Sequence, residues 1–205
     1  NLTLWETTAK SSEKTSVVFS NLGYSYEQAD RLIDAKNALA KAIELDDSDA
    51  KAHYNLGIVY MREKSYKQAS EEFLQAIGAD PEYANAYDSL GIIYYNTALE
   101  RPEVADIYLE QAQISFTSAI EAEQGYYKAY SDLGLVRAQQ GNFTGAALLL
   151  RKSLEINPWN DEAYYNLGII DEFFGNFERA KENFELAAML NPRNPEYLAK
   201  AKQYE

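Results

Sequence analysis

The chain has 205 residues, of which 46% are hydrophobic and 13% aromatic, and it contains no cysteine. These values exclude bulk disorder, disulfide scaffolds and every cysteine-based metal or catalytic site. The net charge of −13, with no basic stripe along the sequence, argues against binding to nucleic acid. No apolar run is long enough to insert into a membrane, and the first residue is Asn rather than Met. We therefore expect a soluble segment, with the cytoplasm favoured and a periplasmic or membrane-tethered placement left open.

The first 15 residues do not follow the pattern of the rest. Leu2, Leu4 and Trp5 are apolar, whereas residues 7–16 are polar and rich in Ser and Thr. We expect a partly flexible leader over residues 1–15 that can fold onto the segment that follows.

From residue 16 onward, a Leu-Gly pair recurs five times, with successive glycines 34, 34, 43 and 34 residues apart. The glycines are Gly23, Gly57, Gly91, Gly134 and Gly168. Further along each unit comes a small residue, at Ala35, Ala69, Ala112, Ala146 and Ala180. A large apolar residue stands four positions after each of these, at Leu39, Phe73, Phe116, Leu150 and Phe184. Small and apolar residues at helical steps define one face of a helix. Each unit is therefore predicted to contain two antiparallel helices that approach closely at the Gly and the Ala.

This pattern resembles the tetratricopeptide repeat family, and the register holds across most of the chain. The resemblance implies an all-α fold: an α-solenoid, or right-handed superhelix, of antiparallel helix pairs with five repeats and a C-terminal capping helix. The predicted segments are a leader (1–15), five repeats (16–49, 50–83, 84–126, 127–160 and 161–194) and a capping helix (195–205). Arg137 and Asp171 depart from the pattern, because they replace an aromatic residue in the last two repeats, and His53 stands at a packing position that an aromatic residue usually holds.

The third repeat is nine residues longer than its neighbours. Pro102 followed by Glu103 and Asp106 is typical of a helix start. We expect the second helix of this repeat to begin near Pro102 and to project beyond its neighbours by about two turns. Two interpretations remain open: a tolerated surface insertion, or a docking element.

In proteins that resemble this one, the first helices of the repeats line a concave groove that holds a peptide segment of another protein. At equivalent positions of those helices stand apolar residues, asparagines and aromatic residues. The candidate peptide-binding residues are Asn21, Tyr24, Tyr54, Asn55, Ile58, Ile92, Tyr95, Leu135, Tyr165, Asn166, Ile169 and Phe173. For the apolar set the alternative is helix–helix packing, and for the asparagines it is hydrogen bonding within the array.

The predicted function is a non-enzymatic scaffold that binds a partner protein through an extended or helical segment of apolar or basic character. No catalytic, cofactor-binding or metal-binding residues are predicted, and no cofactor is expected. We do not expect the clamp that some family members use for acidic C-terminal tails, since its basic positions are never filled together here. Two alternatives remain: a self-assembling homo-oligomeric scaffold, or the recognition arm of a larger protein whose catalytic or membrane part lies elsewhere.

Overall fold

The computed structural model describes residues 2–10 and 15–204, and every regular element in these ranges is helical. Residues 1 and 11–14 of the predicted leader and residue 205 of the predicted cap lie outside the described residues. The twelve α-helices are α1 (Leu2–Lys10), α2 (Ser16–Gln28), α3 (Leu32–Leu45), α4 (Ala50–Arg62), α5 (Tyr66–Ala79), α6 (Ala84–Glu100), α7 (Ala105–Ala122), α8 (Tyr127–Gln139), α9 (Phe143–Ile156), α10 (Asp161–Phe173), α11 (Phe177–Leu190) and α12 (Pro195–Lys202). The predicted all-α solenoid of helix pairs with a C-terminal capping helix is confirmed.

Helices α2 to α11 alternate along the chain between first and second helices, and α2–α3, α4–α5, α8–α9 and α10–α11 pack as pairs. In these four pairs the recurring Gly of the first helix lies against the large apolar residue of the second. An ideal Cβ on Gly57 would be 2.5 Å from Cε1 of Phe73, and one on Gly168 would be 2.6 Å from Cε1 of Phe184. Glycine is therefore required at these positions for close helix approach, although it is a poor helix former.

Two compact units divide the chain, residues 1–93 and residues 94–205. In the first unit, α1 packs on α2, and α4 packs against α2, α3 and α5. In the second unit, α8 packs between α7 and α9, α10 packs against α9 and α11, and α12 packs on α11. The recurring Ala and Leu or Phe residues of all five second helices are buried in these contacts.

Side-chain caps start several of the first helices. The side chain of Thr15 accepts a hydrogen bond from a backbone N–H of α2, and Asp49 and Asn160 cap α4 and α10 in the same way. Asn194 caps α12, one repeat after Asn160. Each such cap is worth about 1 kcal/mol. The sequence of α12 thus begins like the first helix of a sixth repeat.

The nine extra residues of the third repeat lengthen both of its helices. Helix α6 has 17 residues where the other first helices have 13, and α7 has 18 where the other second helices have 14. The sequence-based expectation placed this extension in the second helix, but each helix gains about one turn. A short 3-10 turn at Pro102–Val104 joins them. The extension is packed, because Ala98 is buried and the rings of Tyr94 and Tyr108 are 6.1 Å apart.

Helix α1 lies on the first repeat. Glu6 connects them, since its Oε1 accepts a hydrogen bond from the Tyr26 hydroxyl at 3.0 Å and forms an ion pair with Arg31 at 3.4 Å. The guanidinium of Arg31 also stacks 4.4 Å from the centre of the Tyr26 ring. Residues 2–10 of the predicted leader therefore form an ordered helix.

His53 of α4 is buried between two acceptors. Its Nδ1 lies 2.7 Å from Oε2 of Glu72, and its Nε2 lies 3.0 Å from the carbonyl oxygen of Asp47. Both nitrogens can donate only when the imidazole carries its second proton. The hydrogen bond to Glu72, more than any other factor, raises the pKa of His53 above its ordinary value.

This arrangement predicts that stability falls as pH rises. A raised pKa in the folded chain contributes stability that is fully present below the unfolded pKa of about 6.5 and is lost as pH rises through the folded pKa. Urea unfolding between pH 5.5 and 8.5 measures this slope, and His53→Phe should flatten it, because His53 is the only histidine. An unchanged slope in the variant would show that other groups are responsible.

Within the described ranges, no helix combines the length and the apolar character that crossing a membrane requires.

Candidate functional site

The first helices of neighbouring repeats lie side by side within each unit: α2 contacts α4 in the first unit, and α8 contacts α10 in the second. We call the surface that carries the predicted apolar row within one unit the first-helix face of that unit. The row comprises Tyr24, Ile58 and Ile92 in the first unit and Leu135 and Ile169 in the second. Tyr24 and Ile169 are exposed and the other three are half-buried, so each of them reaches the surface.

Asn55 differs from the other candidate asparagines. It is only 6% exposed, and its Nδ2 has no hydrogen-bond partner. Ser20 on the neighbouring α2 is also buried, and its Oγ also has no partner. Buried polar atoms are almost always hydrogen-bonded, so two such atoms on adjacent first helices call for an explanation.

The other two asparagines are in different environments. The Asn21 Oδ1 accepts a hydrogen bond from Nζ of Lys51 at 2.9 Å, which is the intra-array role that the sequence left open. Asn166 is half-buried on α10. The three asparagines are equivalent in sequence, but their hydrogen bonding differs.

Tyr54 and Tyr165 are engaged in packing. The ring centre of Tyr54 is 5.7 Å from that of Phe73 and 5.2 Å from that of Tyr83. Its burial raises its pKa above the ordinary value, and its hydroxyl is hydrogen-bonded to Ser89. Tyr165 stacks on Tyr197 of the cap with ring centres 4.7 Å apart, and its hydroxyl donates to Glu196. These two side chains therefore hold helices together.

Tyr95 and Phe173 lie in the second unit. Tyr95 is half-buried, and burial raises its pKa. Phe173 is exposed at the end of α10, with its ring centre 4.4 Å from that of Phe143 and 5.3 Å from that of Phe174. Sequence reasoning found Phe173 but missed its two ring partners, although the Phe-Phe pair at the end of α10 was a visible signal.

Arg62 stabilises the contact between the first two repeats. Its Nη1 donates to the backbone carbonyl and to Oε1 of Glu27 at 2.7 and 2.8 Å, and its Nη2 donates to Asp30 at 2.6 Å. Glu27 is buried, and a buried carboxylate without a cation is strongly destabilising. The guanidinium therefore has a structural role, which the sequence did not reveal.

A buried polar network lies within the fourth repeat and includes Asn160, the residue that caps α10. The Asn160 amide donates to Oγ of Ser131 at 2.7 Å and to Oγ of Ser153 at 2.8 Å, and Ser153 donates to the carbonyl oxygen of Tyr127 at 2.8 Å. Ser153 stands where the other repeats have Ala, and this substitution is the only sequence signal for the network.

Among residues 2–10 and 15–204, no group of three or more acidic or histidine side chains could hold a metal ion.

Within each unit, antiparallel helix pairs pack side by side through their first helices, which is the architecture of a helical repeat protein. The chain belongs to the tetratricopeptide repeat family: family models for this repeat match residues 20–84, 109–162 and 137–203. No curated protein sequence matches it.

Several solved structures share the fold. YrrB, a tetratricopeptide repeat protein with an unusual peptide-binding site, is 25% identical with a TM-score of 0.63, and the match covers 98% of this chain and 100% of YrrB. PilF of Pseudomonas aeruginosa is 23% identical with a TM-score of 0.78, covering 92% of this chain and 88% of PilF. TTC0263 of Thermus thermophilus is 20% identical with a TM-score of 0.74, covering 93% of this chain and 98% of TTC0263. The chain is therefore a protein–protein interaction scaffold, of a class whose members are typically non-catalytic.

Proposed function

We propose that the first-helix face of the first unit binds a peptide segment of another protein, seated in the groove that the sequence predicts along its first helices. The observation that carries this proposal is the buried Nδ2 of Asn55, which has no partner within the chain. An extended peptide offers backbone carbonyl oxygens, and a carboxamide donor can bind one of them. YrrB, which is similar in fold, supports the proposal through its peptide-binding site.

The surroundings of Asn55 favour a partner segment with apolar side chains. Ile58 lies one helical turn further along α4, and Tyr24 is exposed on the neighbouring α2. Exposed apolar groups beside a few polar donors are the usual composition of a binding site. The net charge of −13 adds a preference for segments that also carry Lys or Arg.

We expect Asn55→Ala to weaken peptide binding by about tenfold, which corresponds to one lost hydrogen bond. The free energy of unfolding should change by less than about 1 kcal/mol, because the Nδ2 donates no hydrogen bond in the folded chain. A random-peptide display library selected on the intact chain supplies the probes. Calorimetric titration of the selected peptides measures affinity, and urea unfolding measures stability.

Asn160→Ala is the matched control, because the Asn160 amide donates two buried hydrogen bonds away from the predicted site. It should lower stability by about 1–3 kcal/mol and leave peptide affinity unchanged. The proposal fails if Asn55→Ala leaves affinity unchanged, or if it destabilises the chain as much as the control does.

A further inference from the structure

Two second helices of the second unit expose large aliphatic residues on the side away from the core. On α7, Ile107 and Ile114 are 62% and 52% exposed, and on α9, Leu148 is 63% exposed. Ile107 and Ile114 are seven residues apart, so they lie on one stripe of α7, opposite the buried Ala112 and Phe116. Ile114 and Leu148 are equivalent in the repeat, since each follows the recurring Ala by two positions.

The charges beside these residues have opposite sign on the two helices. Helix α7 contains no Lys or Arg, and Asp106 and Glu110 are exposed next to Ile107. Helix α9 exposes Arg151 and Lys152 next to Leu148. Among the described residues, Glu110 and Arg151 take part in no ion pair, whereas Lys152 pairs with Glu155 on its own helix.

We propose that this outward surface of α7 and α9 is a self-complementary interface through which two copies of the chain form a two-fold dimer. A two-fold interface brings the same patch of both copies together, so the acidic α7 of one copy meets the basic α9 of its partner, and the reverse contact follows by symmetry. A patch with charges of one sign would repel the same patch on a second copy. This patch instead carries acidic residues on α7 and basic residues on α9.

The helix directions give the register of the contact. Helices α7 and α9 run parallel, because each is antiparallel to α8 between them. A two-fold axis perpendicular to the helices therefore sets α7 antiparallel to α9 of the other copy. When Ile114 lies against Leu148 in this arrangement, Glu110, four residues earlier, falls opposite Arg151 and Lys152, three and four residues after Leu148. One alignment thus pairs Ile114 with Leu148 and Glu110 with Arg151 and Lys152, whereas Ile107 falls opposite Glu155.

This interface is independent of the proposed peptide site, since it uses second helices and leaves the first-helix face uncovered.

Sedimentation velocity over a concentration series tests the dimer, with charge reversal as the diagnostic. Glu110→Lys or Arg151→Glu alone should raise the dissociation constant of the dimer at least about tenfold, because each places like charges together. An equimolar mixture of the two single variants should dimerise like the unmodified chain. In the mixed dimer the two substituted residues form an ion pair of reversed polarity at one contact, and the unchanged Glu110 and Arg151 form the original ion pair at the other. Raised salt should weaken the dimer of the unmodified chain.

Leu148→Glu should also abolish the dimer, whereas Leu74→Glu, at a position 51% exposed on α5, should not. Far-UV circular dichroism verifies that each variant keeps its helices. A chain that remains monomeric throughout the series overturns the proposal, as does a dimer that the single reversals leave intact or that the mixture does not restore.

Discussion

Gly57→Ala is expected to lower the free energy of unfolding by about 3 kcal/mol, even though alanine is the better helix former. A methyl group at this position would lie 2.5 Å from Cε1, 2.7 Å from Cδ1 and 3.0 Å from Cζ of Phe73. The ring cannot move aside, because Phe73 is fully buried and Tyr54 packs against it at 5.7 Å. Helices α4 and α5 must therefore separate, and urea unfolding followed by circular dichroism measures the loss.

Gly78→Ala provides the matched control within the same repeat. A Cβ on Gly78 meets nothing within 4 Å, and the residue lies in α5 near its end. The substitution should stabilise the chain by about 0.5–1 kcal/mol, because alanine restricts the unfolded chain and favours helix. Equal gains at both positions would contradict the steric role assigned to Gly57.

The repeat spacing was sufficient to predict the helix pairs, because helix packing at a small residue imposes a strict period on the sequence. The Gly and Ala positions could be read directly, and the structure buries them as expected. The sequence did not show how the nine extra residues are divided between α6 and α7. Pro102 marks where the turn lies, but either helix of a pair can be lengthened. Only the observed bounds, with α6 ending at Glu100 and α7 beginning at Ala105, show that both were extended.

The candidate site was less predictable, because equivalent positions in a repeat have different neighbours. The Oδ1 of Asn21 accepts a hydrogen bond from Lys51, whereas the Nδ2 of Asn55 has no hydrogen-bond partner. The ring of Tyr165 stacks on Tyr197 of the capping helix, which lies outside the five repeats. The repeat pattern therefore does not predict this contact. Position in a repeat predicts which side of a helix a residue occupies, and the hydrogen bonds then depend on residues that are distant in sequence.

Helix α12 packs on the fifth repeat through a buried aromatic residue. Tyr197 stands where the first helices of four earlier repeats, α4, α6, α8 and α10, have a buried Ala. Glu172 of α10 accepts hydrogen bonds from Lys200 at 2.6 Å, from Tyr204 at 2.6 Å and from Gln203 at 3.2 Å. The hydrogen bond from Lys200, followed by that from Tyr204, lowers the pKa of Glu172. The cap is thus attached by the buried ring of Tyr197, by the hydrogen bonds to Glu172 and by the hydrogen bond from Tyr165 to Glu196.

Tyr197→Ala should therefore release the cap, with a local loss of about 3 kcal/mol. Tyr197 is buried and its ring stacks on Tyr165, so the truncation removes the apolar contact that covers the last repeat. Repeat arrays depend on contacts between neighbours, so the effect should be strongest in α10 to α12 and should fade toward the first repeats. Hydrogen exchange of the backbone amides measures this gradient.

Leu198→Ala, at the adjacent but exposed position, should change stability by no more than about 0.5 kcal/mol. Uniform loss of protection along the chain would mean instead that the array unfolds as one cooperative unit and that the cap supports all of it.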